Sequence, residues 1–142
     1  MKIAIGCDHG GIALKEVILP LLAELGHQVN DQGTDSTLSV DYPQYAKAVC
    51  DLVADNRCDR GILICGTGIG MSMAANRHKK IRAALCTEMF AARMSREHNN
   101  ANVLCLGARV TGPGLAEEIV RTWLSTDFAG DRHLRRIEMF SS

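Results

Sequence analysis

The stretch Gly61-Ile62-Leu63-Ile64-Cys65-Gly66-Thr67-Gly68-Ile69-Gly70-Met71-Ser72 reads as a strand, a tight turn and the start of a helix. The apolar run 62–65 has strand length, three glycines then alternate, and residues 71–77 are helix-prone. Such a junction offers unpaired backbone N–H groups and the positive end of a helix dipole, and its glycines let an anion or oxyanion come close to the main chain. Cys65 stands at the carboxyl end of the strand, where a side chain points into that field. A thiol beside a helix N-terminus ionises more readily, because the dipole stabilises the thiolate. One short segment therefore offers both a candidate base and a place for developing charge.

Working outward, strands and helices alternate along the whole chain. Residues 2–7 read as a strand, Asp8-His9-Gly10-Gly11 as a turn, and residues 12–25 as a helix that Pro20 should bend or break and Gly26 should stop. A weaker strand at 27–31 and a polar loop at 33–41 lead to Pro43, placed to open a helix that runs to about residue 55. Strands at 60–65, 82–86 and 102–107 alternate with helices at 69–77, 88–97 and from Gly112-Pro113-Gly114 to about 123. The last segment, 130–142, reads as a helical tail.

Continuous apolar strands separated by helices specify a parallel sheet covered on both faces. The expected fold is α/β, a doubly wound, Rossmann-like five-stranded parallel sheet in one domain spanning 1–142. Ligands of such sheets bind beyond the carboxyl ends of the strands, near the point where strand order reverses. Asp8, His9, the loop from Cys65 and Glu88 all follow strands directly and are expected to share that edge.

Sixteen basic residues balance sixteen acidic ones, which removes the electrostatic case for nucleic acid or an anionic membrane as partner. No apolar stretch reaches the roughly 20 residues that span a bilayer, and no signal-peptide pattern precedes Gly6-Cys7-Asp8, so a cytoplasmic protein with a small-molecule partner is expected. The six cysteines, Cys7, Cys50, Cys58, Cys65, Cys86 and Cys105, show no C-x-x-C spacing. Without H-E-x-x-H either, no metal site is expected. Apart from Cys65 the cysteines read as small buried hydrophobes.

A dinucleotide fingerprint fails, since Met71 or Met73 falls where the third glycine belongs, although Glu88 stands about where a ribose-binding acid would. No Gly-Lys-Ser/Thr makes a P-loop, and no G-x-S-x-G makes a nucleophile elbow. Two polar clusters remain, Asp8-His9 and His98-Asn99-Asn100, both expected at loop ends beside Cys65. His98 ends a helix, where the dipole favours its protonated form and lets it donate a proton. Arg132 and Arg136 share a helical face, which suits either a solvated surface or a phosphate, and Arg109 could join them.

Taken together, Gly6-Cys7-Asp8-His9-Gly10, Asp41-Tyr42-Pro43, Cys65-Gly66-Thr67-Gly68-Ile69-Gly70, Ser95-Arg96-Glu97-His98-Asn99 and Arg132-His133 with Arg136 resemble the B-type ribose-5-phosphate isomerases of the ribose/galactose isomerase superfamily. The resemblance covers essentially the whole chain. It implies interconversion of ribose 5-phosphate and ribulose 5-phosphate without metal or organic cofactor, by a homodimer, or a tetramer of dimers, with active sites between subunits. It implies Cys65 as the base and His98 in ring opening, with Thr67 and the amides of Gly66, Gly68, Ile69 and Gly70 on the enediolate oxygens. Asp8 and Asn99 would hold hydroxyls, Tyr42 would line the substrate, and His9, Arg109, Arg132 and Arg136 would bind phosphate. Met71 stands where some members carry a glutamate, which places this chain with the cysteine type. A six-carbon sugar phosphate such as allose or galactose 6-phosphate, and a non-catalytic nucleotide- or phosphosugar-binding module, are the alternatives.

Overall fold

The computed structural model describes residues 1–141. Five strands, β1 (Lys2–Cys7), β2 (Gln28–Asp31), β3 (Arg60–Cys65), β4 (Ala83–Leu85) and β5 (Val103–Gly107), form one parallel sheet in the order β2-β1-β3-β5-β4. Six helices follow the strands: α1 (Ile12–Glu24), α2 (Tyr42–Ala54), α3 (Ile69–Ala75), α4 (Met89–Glu97), α5 (Pro113–Ser125) and α6 (Arg132–Glu138).

The pleat sorts alternate residues onto two faces. Ile3, Ile5, Ile62, Ile64, Leu104 and Leu106 pack with Leu14, Ile18 and Leu22 of α1, Ala92 of α4, and Ile119 and Trp123 of α5. Ala4, Leu63, Cys65, Val103 and Cys105 pack with Val49 and Val53 of α2 and Met71 and Ala75 of α3. Each layer buries about a dozen or more apolar side chains, so both faces of the three central strands are covered and the doubly wound expectation holds.

Several boundaries differ from the sequence reading for local reasons. Helix α1 runs unbroken through Pro20. Pro20 and Glu16, whose carbonyl loses its partner, are both exposed, and water can take that acceptor. Gly26, at φ +79°, ends α1 as expected: its N–H bonds to the Ala23 carbonyl and that of His27 to Leu22, which pulls His27 out of β2. Helix α3 stops at Ala75 because Asn76 turns its side chain to the main chain of Ser72 and Ala83. Arg82, Cys86 and Asn102 lie just outside the strands, and the C-terminal helix occupies only Arg132–Glu138 of the expected tail. Residue 142 lies outside the described residues.

Candidate active site

Strand order reverses between β1 and β3, so the loops after these strands face one crevice. Register makes them direct neighbours: Cys7 pairs with Ile64, and the Asp8 N–H donates to the Ile64 carbonyl at 3.2 Å. Cys65 in turn pairs with Gly107 of β5, and the N–H groups of Ala108 and Arg109 donate to the carbonyls of Cys65 and Gly66, both at 2.9 Å. Three successive strand ends thus bring Asp8, Cys65 and Arg109 to one edge.

The glycine turn is wedged onto β5. Gly68 adopts φ +78°, and a Cβ there would fall 2.5 Å from Leu85 Cδ1 and 2.9 Å from the Leu106 carbonyl carbon. A Cβ on Gly107 would fall 2.6 Å from the main chain of Thr67. Within the turn, the Gly68 N–H donates to Cys65 Sγ at 3.1 Å and the Ile69 N–H donates to Thr67 Oγ1 at 3.2 Å. Two of the amides expected to face substrate oxygens therefore already have partners within the turn, one of them the sulfur. Thr67 is exposed and accepts with its oxygen, which leaves its hydroxyl proton to donate outward.

The sulfur is less open than the sequence suggests, with Cys65 only 6% exposed. Around it stand the other expected partners of this edge. Asp8 is 7% exposed and its Oδ1 accepts from the Gly10 N–H at 2.9 Å. His9 Nδ1 accepts the Val40 N–H at 3.2 Å, so the neutral ring carries its proton on Nε2. The Tyr42 ring lies against Gly70, where a Cβ would fall 2.7 Å from Cζ, and Arg109 lies over Gly66, where a Cβ would fall 3.4 Å from Cδ. Burial pushes the other thiols up, Cys7 and Cys86 to about 11 and Cys50 to about 12, with Cys58 and Cys105 raised the same way.

His98 and Asn99 do not join Cys65, contrary to the expectation that both polar clusters flank it. Helix α4 starts beyond the carboxyl end of the sheet and runs back, so its C-cap His98 lies at the amino edge. There the Asn102 carbonyl accepts the Gly61 N–H, and Asn99 lines a 580 Å³ cavity with Arg82 and Ala83 at the start of β4. From Val103 to Gly107 alone the sheet spans about 13 Å. Arg132 and Arg136 also lie at the amino edge, since the Ala129 N–H bonds to the Glu97 carbonyl just before α6. His133, absent from the expected set, is 7% exposed and stacks on His98 with ring centroids 4.1 Å apart and 11° between planes. Burial, then His98, Arg132 and Arg136, hold the His133 pKa below its usual value. Its position next to Arg132 was the available signal. Glu88 is a cap, accepting from the N–H groups of Phe90 and Ala91, and is not free for a ribose.

The described residues therefore place the expected site residues in two clusters at opposite edges of one sheet. The ribose/galactose isomerase family model matches residues 3–140. The chain belongs to this family. Among family members, ribose-5-phosphate isomerase B of Escherichia coli is 49% identical over 99% of this chain and 95% of its own length. A D-erythrulose-4-phosphate isomerase of Pectobacterium atrosepticum is 42% identical over 97% of this chain and 91% of its own. The solved structure of Clostridium thermocellum ribose-5-phosphate isomerase B superposes with a TM-score of 0.98 at 52% identity, covering 99% of this chain and 95% of that one.

Proposed function

We propose that this family member interconverts ribose 5-phosphate and ribulose 5-phosphate through an enediolate, with Cys65 as the base. The observation that carries the reading is the sulfur at the β1/β3 switch point, under a glycine turn whose Gly68 N–H points at it. A proton beside a carbonyl is weakly acidic, so its removal needs a placed base and donors aimed at the oxygen that becomes negative. Cys65 takes the C2 proton of the open aldose and the C1 oxygen gains the charge. Return of that proton to C1, with transfer of the O2 proton to O1, gives the ketose. The Thr67 hydroxyl and the outward amides of the turn meet the charged oxygens, and Asp8 and Tyr42 hold the sugar.

The remaining half comes from a second copy. His98 and Asn99 of one protomer, with Arg132 and Arg136, meet the Cys65 edge of its partner in a homodimer, where His98 opens the furanose ring. His9 and Arg109 from the first protomer then share the phosphate with those two arginines. Phosphate held away from the reacting carbons orients them without contacting them. The route uses the chain's own groups throughout, and six unpaired cysteines suit the reducing cytoplasm.

The Pectobacterium relative shows that family members differ in the sugar phosphate they take, which favours one second reading: the same proton transfer on a sugar phosphate of another length. An isomerisation assay across four-, five- and six-carbon sugar phosphates, with wild type and Cys65→Ala, decides both points. Fastest turnover is expected on ribose 5-phosphate, with a loss of about 10³-fold or more in the variant. Near-normal turnover by Cys65→Ala removes Cys65 as base.

A further inference from the structure

Lys15, in the second turn of α1, is 2% exposed. An ammonium removed from water is costly unless each of its protons finds an acceptor. Here all three do: Nζ donates to Asp35 Oδ1 at 2.9 Å, Asp31 Oδ2 at 3.0 Å and the Thr34 carbonyl at 3.2 Å. Burial alone would lower its pKa, but the hydrogen bonds it donates to Asp35 and Asp31 outweigh burial and raise it.

All three acceptors belong to the end of β2 or to the loop after it. Residues 32–41 form no helix or strand, so their course depends on the points where they are tied. The near end is tied by Lys15 and by the N–H groups of Gln32 and Thr34 on the carbonyls of Ile5 and Cys7. The far end gives the Val40 N–H to His9 Nδ1 and then enters α2 at Tyr42. A group that needs burial and three acceptors is a demanding way to hold a surface loop, and this loop sets which nitrogen of His9 carries the proton.

We propose that Lys15 is a positioning residue for the phosphate edge: by fixing residues 31–35 it places Val40 on His9 Nδ1 and holds His9 as the tautomer that presents Nε2–H. The link to phosphate rests on the isomerase reading above, whereas the link to His9 does not.

The test compares wild type, Lys15→Met, Lys15→Arg and Asp35→Ala by two readouts. In protein labelled with ¹⁵N at histidine, the His9 ring nitrogens of wild type should show an unprotonated Nδ1 and a protonated Nε2, and Lys15→Met should average them. With ribose 5-phosphate, Lys15→Met should raise KM about tenfold and change kcat by less than about twofold, with most of the KM restored by Lys15→Arg. The Asp35 carboxylate is 93% exposed, so Asp35→Ala leaves the core intact and should show the same changes in smaller measure, which serves if Lys15→Met fails to fold. An unchanged His9 pattern in either folded variant overturns the proposal, as does an equal loss in kcat and KM. If wild type turns over no sugar phosphate, the isomerase reading fails while the ring nitrogens still decide the role of Lys15.

Discussion

With Cys65 as the proposed base and His98 as the proposed ring-opening group at opposite edges of one sheet, two impaired variants should repair each other. Cys65→Ala removes the proposed base from the carboxyl edge, and His98→Asn removes the proposed ring-opening acid from the amino edge. Cys65 pairs with Gly107, and β5 begins four residues earlier at Val103, a span of about 13 Å before His98 is reached. No side chain bridges that gap, so in a homodimer each site takes one group from each protomer. A mixed dimer then has one site with both mutations and one with neither. If subunits reassort at random, about half of the dimers are mixed and each keeps one of its two sites, so about a quarter of wild-type activity should return. The assay is turnover of ribose 5-phosphate before and after mild dissociation and remixing, with mixed dimers counted by native mass spectrometry. Mixed dimers that form but stay inactive would place both groups in one protomer's site and refute the reasoning.

Two further outcomes follow from the amino edge. His98→Asn should slow turnover of the cyclic substrate far more than that of substrate already opened, as followed by presteady-state kinetics on the two forms; equal losses would remove ring opening from its role. Burial, then the neighbouring His98, Arg132 and Arg136, makes His133 bind protons less readily folded than unfolded, so it contributes stability that is present above its ordinary value near 6.5 and lost as pH falls below it. His27, lowered by burial and the amino terminus, acts in the same direction. Thermal unfolding between pH 7.5 and 5.5 should show a falling Tm with a shallower slope in His133→Phe; an unchanged slope would show that His133 does not titrate this way.

The sheet was legible because the three central strands are apolar runs closed by glycine or by polar residues, and strands at 2–7, 60–65 and 102–107 are in place to within a residue. The half-site around Cys65 was legible for the same reason: residues directly after strands share one edge. His98 was misplaced by neglect of the complementary rule, since a residue at the end of a helix in a βαβ unit has been carried back to the other edge. The cysteine's orientation was read from the dipole, whereas the packing of Met71 and Ala75 against the same layer leaves it 6% exposed. Lys15 was invisible because its acceptors, Asp31, Thr34 and Asp35, lie 16 to 20 residues away in a loop without periodicity.

The wedging of the glycine turn between Leu85, Leu106 and Gly107 sets where this enzyme can yield. Its floor is continuous with the central strands and has no slack, so in the proposed reaction it would meet the enediolate already arranged, with no rearrangement during turnover. The neighbouring 32–41 segment, which forms no helix or strand and is tied to the rest of the fold at its two ends, is the part that can shift between those ties while the turn stays fixed.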